Sequence, residues 1–238
     1  MSPRFAPSAG LAVITLFASF SSVSAAVVYD NTNPNNVLNS AFRTGLEYGD
    51  EIKLAGVDRF VTEFLAGYFG DFPEGTAATG RIRFYSNDGT DAIPGSQVAL
   101  RPKTVIWESD PFALGRNNQE IVLQPNVTVP ESFTWTILFD GLNDVVGNGA
   151  ALSVVNPVSV GGELSNGTIG SFNDFWIKNG STEDSWALNT LSGGTIPANF
   201  YARVTAVPEP GSLALASLGI LGLMARAWFR TPKSGAEC

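Results

Sequence analysis

Apolar and polar residues alternate along most of the middle of the chain. Residues 132–139 are the clearest case, because Phe133, Trp135, Ile137 and Phe139 occupy every second position. Successive side chains of a β-strand point to opposite faces, so this spacing places four apolar side chains on one face. Similar segments predict further strands at residues 47–54, 59–69, 81–85, 104–108, 120–124, 126–129, 151–156, 171–177, 185–191 and 200–205.

The segment at residues 59–69 carries apolar residues on both faces of its predicted strand. Strict alternation places Phe60, Phe64 and Tyr68 on one face and Val61 and Leu65 on the other. Gly, Pro, Asn and Asp separate the predicted strands, and no segment between the two ends of the chain has a sustained helical period. We therefore predict an all-β fold, with residues 27–206 forming a single β-sandwich or jelly-roll domain.

The first 26 residues read as a secretory signal peptide. Arg4 precedes an apolar stretch at residues 11–20, and small residues follow at positions 23–26. This order of a positive start, an apolar core and a small-x-small cleavage site is typical of a signal that is removed during export. The translocon and signal peptidase are thus expected partners.

A second apolar segment lies at residues 211–229, near the other end of the chain. Its 19 residues would span about 28 Å as a helix, close to the thickness of a bilayer core. Arg226, Arg230 and Lys233 lie at or just beyond its end, so the positive-inside rule predicts a cytoplasmic tail and places residues 27–207 outside. The sequence predicts a transmembrane helix here.

Pro208, Glu209 and Pro210 stand directly before this helix. A Pro-Glu-Pro tripeptide, a short Leu/Ala/Gly-rich helix and a basic patch in this order resemble the PEP-CTERM sorting tail of bacterial surface proteins. The resemblance covers residues 207–238 and implies recognition by a membrane-embedded exosortase, which cleaves near the tripeptide. It further implies transient anchoring in the inner membrane, and then a location at the cell surface or in the extracellular matrix.

Composition narrows the chemistry that the domain can perform. The chain has no histidine and one cysteine, Cys238, which excludes a Ser-His-Asp triad, a His-ligated metal and an internal disulfide. Residues 26–207 contain 10 basic and 20 acidic residues, a net charge of −10. Such a surface repels phosphate backbones, so we expect no nucleic-acid partner.

A pair of carboxylates could still support hydrolysis without histidine. Glu47, Asp50 and Glu51 lie near a predicted strand start, and Glu183 and Asp184 lie in a predicted loop. None is embedded in an apolar strand, so we interpret them as solvated acidic residues and predict that the protein is not an enzyme. A glycan-active hydrolase or lyase is the third hypothesis for function.

Asn87, Asp88 and Asp91 offer several oxygen ligands on one short turn. Calcium prefers such ligands, but Asn-Asp-Gly is also a common hairpin turn. A structural calcium ion is therefore a minor prediction beside the expectation of no cofactor.

Phe175, Trp176 and Trp186 form an aromatic cluster among polar residues. Such a cluster can stack on sugar rings, and it can equally fill a core. The leading hypothesis is a structural or adhesive surface protein that is associated with exopolysaccharide or biofilm, as the resemblance implies. The alternative is a carbohydrate-binding module that uses these three aromatic residues.

Overall fold

The computed structural model describes residues 24–32, 38–42, 45–90, 100–142, 149–154, 174–180, 182, 185–195 and 198–209. These residues contain fourteen strands and one short 3-10 helix, Ser192–Gly194, and no α-helix. The strands are β1 (Ala26–Asp30), β2 (Leu38–Phe42), β3 (Glu47–Lys53), β4 (Phe60–Asp71), β5 (Thr79–Tyr85), β6 (Val105–Glu108), β7 (Phe112–Ala113), β8 (Asn117–Leu123), β9 (Val127–Thr128), β10 (Ser132–Asp140), β11 (Gly149–Val154), β12 (Asp174–Lys178), β13 (Trp186–Thr190) and β14 (Ala202–Val207).

The strands form two antiparallel sheets. The first sheet follows the order β1-β14-β4-β11-β2, with β8 and β9 also paired to β4. The second sheet follows the order β13-β12-β3-β10-β5-β6, with β7 also paired to β5. The predicted all-β class is confirmed.

Many of the strand pairs are nested along the chain, so that the partners of an inner pair lie between the partners of an outer pair. The outermost pair joins β1 to β14, and the pairs β3–β10, β4–β8 and β5–β6 follow inward along the chain. Strand β4 uses both of its edges, with β14 and β11 along one edge and β8 and β9 along the other. The first and last strands therefore lie side by side.

One hydrophobic core lies between the two sheets. Phe133, Trp135, Ile137 and Phe139 of β10 are all fully buried, as their alternation predicts. Phe64 of the first sheet packs edge-on against Phe84 and Trp135 of the second, with ring centroids 5.0 and 5.2 Å apart. These contacts show that the two sheets face each other.

Strand β4 departs from strict alternation. Val61 and Phe64 are both fully buried in this core, although three positions separate them. The register with β14 moves from Glu63 to Val61 and skips Thr62, which is a β-bulge. Because of this extra residue, the side chains that precede it point to the opposite face from the one that strict alternation predicts. The prediction that Val61 and Phe64 lie on opposite faces is therefore wrong.

Eleven of the fourteen described strands lie at the predicted segments. The three others are β1, β2 and β7, and β7 has only two residues. Within the described residues, no helix is long and apolar enough to cross a membrane. The predicted helix at residues 211–229 and the signal peptide up to residue 23 lie outside the described residues.

Candidate functional site

Strand β14 runs directly into the Pro-Glu-Pro tripeptide. Val207, its last residue, pairs with Phe60 at the start of β4. Pro208 follows without an intervening linker and is half-buried, and Glu209 is exposed. Pro210, Arg226, Arg230 and Lys233 lie outside the described residues. The last described strand thus ends directly before the Pro-Glu-Pro tripeptide.

The two ends of the domain leave the first sheet together. Ala26, at the start of β1, is the register partner of Ala206 in β14. The predicted signal cleavage site and the Pro-Glu-Pro tripeptide therefore lie at the same end of the molecule. The sequence offers no sign of this proximity, because the two sites are as far apart along the domain as they can be.

All three residues of the aromatic cluster are buried, but they lie on opposite faces of the second sheet. Phe175 is 4% exposed and packs in the main core, with its ring centroid 5.6 Å from that of Phe200. Trp176 and Trp186 are 1% and 5% exposed and form a second cluster with Tyr85 on the opposite face of the second sheet. Burial leaves these rings without an open face on which a sugar could stack.

A polar network lies on the same outer face of the second sheet. Glu47 is buried, and its carboxylate accepts hydrogen bonds from Thr136 and from Arg83, the latter at 2.9 Å. Arg83 also donates to Glu108, which pairs with Arg81 as well. Burial alone would lower the pKa of Arg83, but the hydrogen bond to Glu108 and the charge of Glu47 raise it, so Arg83 stays charged. The interpretation of Glu47 as a solvated residue is wrong.

Tyr85 joins this network to the tryptophan cluster. Its ring lies 5.3 Å from that of Trp186, and Lys178 donates a 3.3 Å hydrogen bond to its hydroxyl. Lys178 also lies over the rings of Tyr85 and Trp186, 5.0 and 5.1 Å from their centroids. Burial and the nearby Glu47 raise the pKa of Tyr85 well above its ordinary value, so the hydroxyl stays protonated.

Asp50 and Glu51 occupy neighbouring positions in β3 and therefore point to opposite faces. Asp50 is buried and accepts a 3.0 Å hydrogen bond from the backbone N–H of Phe200. Glu51 accepts a 2.8 Å hydrogen bond from the hydroxyl of Ser132. Burial raises the pKa of Asp50 well above its ordinary value and raises the pKa of Glu51 to about 7. The interpretation of Asp50 as a solvated residue is therefore wrong.

We expect the raised pKa of Glu51 to make the protein less stable as the pH rises. The folded state holds this proton up to about pH 7, whereas the unfolded state releases it near pH 4.5. Folding therefore binds a proton, and the free energy of unfolding should fall by up to about 3 kcal/mol between these pH values. Urea unfolding of wild type and Glu51→Gln on either side of this window checks it.

The Glu51→Gln variant should show a flatter pH dependence, with the remaining slope owed in part to Asp50. Glu131→Gln is the matched control, because Glu131 is an exposed carboxylate that pairs with Lys53. Equal slopes in wild type and Glu51→Gln would contradict the assignment.

The candidate calcium turn is held by protein hydrogen bonds. Asn87 accepts a 2.7 Å hydrogen bond from the hydroxyl of Thr134. Asp88 accepts hydrogen bonds from the backbone N–H and the hydroxyl of Thr104, at 3.0 and 2.7 Å, and these lower its pKa. Asp91 lies outside the described residues. The described residues hold no group of three or more acidic, His or Cys side chains that is suited to a metal ion.

Glu47 and Glu51 are poorly placed to act together as a catalytic pair. Glu47 and Glu51 share the outer face of β3, but four residues of strand separate their Cα atoms by about 13 Å. Paired glycosidase carboxylates lie about 5–9.5 Å apart, flanking a single bond. Glu47 is bound to Arg83 and Glu51 to Ser132, so each carboxylate already has a structural partner.

Comparison with known families gives a match near the end of the chain. Residues 206–230 match the family model of the PEP-CTERM protein-sorting motif. No curated protein gives a significant match to the chain. The match begins at Ala206, the residue that pairs with Ala26, and continues through the Pro-Glu-Pro tripeptide. The chain therefore carries a PEP-CTERM sorting motif, the mark of an exported protein that exosortase processes at the membrane.

Proposed function

We propose that this protein is a structural or adhesive component of the cell surface or extracellular matrix, associated with exopolysaccharide or biofilm. A β-sandwich of jelly-roll type would be the exported part, and the nested strand pairing supports that connectivity. The tail at residues 211–229 anchors the chain in the inner membrane until exosortase acts. The translocon and signal peptidase act before that stage.

The junction between β14 and the tripeptide is the observation that supports the export and processing in this proposal. Val207 ends the strand, and Glu209, which lies two residues later, is exposed. A cut at or after the tripeptide removes no strand residue, so the released domain keeps its fold. A protease that cut only a few residues earlier would remove part of a central strand.

We further propose that the domain is not an enzyme and needs no cofactor. The partners of Glu47, Glu51 and Arg83 on the outer face of the second sheet favour a structural use of these groups. The burial of Phe175, Trp176 and Trp186 weighs against a carbohydrate-binding module that is built on these rings. Any association with glycans would then use other parts of the surface.

Replacing Pro208, Glu209 and Pro210 by alanines should stop processing. Two prolines disfavour helical backbone before the predicted helix, and three alanines would allow that predicted helix to extend toward β14. In cells that contain exosortase, we expect the variant to accumulate as the uncut form in the membrane fraction, whereas wild type leaves it. Immunoblots of membrane and extracellular fractions measure this.

Pro232→Ala is the matched control, because Pro232 lies after the residues that match the sorting motif. It should be processed as wild type. If the triple variant and wild type have the same size and the same location, exosortase processing at this motif is refuted.

A further inference from the structure

We propose that the end of the domain from which the tail leaves rests on the lipid surface of the membrane while the tail is anchored there. We call it the sorting end and define it as residues 26–27, 53–60, 86–90, 100–105, 124–132 and 207–209. The inference rests on the proposed function, because it requires a membrane-anchored stage. It adds that the folded domain itself contacts the membrane through the sorting end during that stage.

Strand register and loop hydrogen bonds place these segments together. Val207 pairs with Phe60, and the loop at residues 54–59 joins β3 to β4 at that point. The backbone N–H of Leu54 donates to the carbonyl of Glu131, and that of Val129 donates to the carbonyl of Arg59. These bonds tie the loop to the segment that precedes β10.

The hairpin that joins β5 to β6 extends from the same end. Tyr85 is the register partner of Thr134, near the start of β10, and of Val105, at the start of β6. The hairpin continues beyond them, with a hydrogen bond from the backbone N–H of Gly89 to the carbonyl of Arg101. Residues 86–90 and 100–104 therefore lie at the sorting end.

The sorting end carries most of the exposed large apolar side chains. Among the described residues, these are Val27, Val57, Leu100 and Val105, which are 42%, 87%, 39% and 48% exposed, and Val122, the penultimate residue of β8, which pairs with Leu65 in β4. Four of the five thus lie at the sorting end. The opposite end, at residues 45–46, 71–79, 114–117 and 140–142, contributes none of them.

Val57 lies on a loop whose backbone is fixed by hydrogen bonds from Arg59. The guanidinium of Arg59 donates to the carbonyls of Ala55, Gly56 and Asp58, at 3.3, 2.8 and 2.8 Å. Gly56 has a φ of +60°, which favours glycine at this turn. These bonds fix the loop, while the Val57 side chain points into solvent.

Charge at the sorting end is balanced, unlike that of the whole domain. Its basic residues are Lys53, Arg59, Arg101 and Lys103, and its acidic residues are Asp58, Asp88, Glu131 and Glu209. The four and four cancel, whereas residues 26–207 as a whole carry −10. Anionic headgroups would repel most of the domain surface but not this end.

The length of the chain between the fold and the tail sets how far apart they can be. Four Cα–Cα steps join Val207 to Gly211, the first residue of the apolar segment, and span at most about 14 Å. The headgroup layer outside the hydrocarbon core is about 5–8 Å thick. Val207 must then lie within about one nanometre of the headgroups, which brings the exposed valines near it within reach of lipid. Lipid is therefore the occupant that this short connection favours.

Site-specific labelling of the full chain in vesicles tests the inference. Cys238→Ser removes the native thiol, and Val57→Cys or, as the matched control, Glu74→Cys then carries an environment-sensitive fluorophore. Glu74 is exposed at the opposite end. The chain is placed in vesicles of phosphatidylethanolamine and phosphatidylglycerol, with or without a phospholipid that bears a quencher. We expect the label at position 57 to lose most of its emission to the quencher and the label at position 74 to keep its emission.

Flotation of the vesicles separates this inference from the proposed function. If the chain floats with the vesicles and neither label is quenched, the lipid contact is refuted and the anchored stage stands. If the chain does not float, both fail. A change in emission at position 57 that disappears when the chain is diluted in the bilayer would indicate a second copy as the partner and would overturn the inference.

Discussion

A chain that ends at Tyr201 should fail to fold, whereas a chain that ends at Glu209 should keep the full stability of the domain. The difference is β14, which lies between β1 and β4 in the first sheet. Its inward residues Ala202, Val204 and Ala206 are fully buried. Removing it breaks two ladders of backbone hydrogen bonds and opens the core. This loss should exceed the whole stability of a domain, which is about 5–15 kcal/mol.

Both versions should begin at Ala26, the first residue of β1, so that they differ only at their ends. The version that ends at Glu209 should unfold cooperatively in urea, with an abrupt change in tryptophan fluorescence, because Trp135 is fully buried. The version that ends at Tyr201 should show no such transition. A cooperative transition in the shorter chain would mean that β14 is dispensable and would contradict its central role.

Arg83→Leu should lower the free energy of unfolding by about 3 kcal/mol. Glu47 is buried, and Arg83 is its only cationic partner among the described ion pairs. Leucine in place of Arg83 would leave a buried carboxylate without a compensating charge, and such changes cost about 3–5 kcal/mol when the pair is well buried. Arg83 keeps some contact with solvent, which places the expected value at the lower limit. Urea unfolding at neutral pH measures it.

Arg81→Leu provides a control on the same face of the same strand. Arg81 and Arg83 both pair with Glu108, but Arg81 has no ion pair with Glu47 among the described residues. Because Glu108 is exposed, we expect Arg81→Leu to change the free energy of unfolding by less than about 1 kcal/mol. Adding Glu47→Gln to Arg83→Leu should recover part of the loss. Equal effects of Arg81→Leu and Arg83→Leu would show that the buried charge of Glu47 is not the cause.

The pairing of β1 with β14 also bears on export. The first strand of the domain cannot complete its sheet until the last strand, which ends at Val207, has been translated and translocated. Pairing between such distant parts of a chain slows folding, because closing the intervening loop costs entropy before the contacts form. The core therefore closes only when the sorting motif that follows has also been made.

The sequence alone determined the fold class and the sorting tail. Alternation at residues 132–139 predicted a buried face, and the structure confirms it. The prediction works because successive side chains of a strand point to opposite faces. The Pro-Glu-Pro tripeptide was recognisable because its information is local and ordered along the chain. The two-residue strand β7 was missed, since so short a segment has no period to detect.

Tertiary structure decided which side each residue faces and which residues meet. Thr62 is an extra residue only in relation to the register of β14, so the bulge that brings Val61 and Phe64 into one core leaves no mark on the sequence of β4. Glu47 and Asp50 looked like solvated strand-end residues, yet neighbouring strands bury both. The proximity of Ala26 to Ala206 depends on pairing across the whole domain. A local sequence pattern can predict a strand or a sorting motif, but the burial of a residue and its proximity to distant residues depend on how the sheets pack.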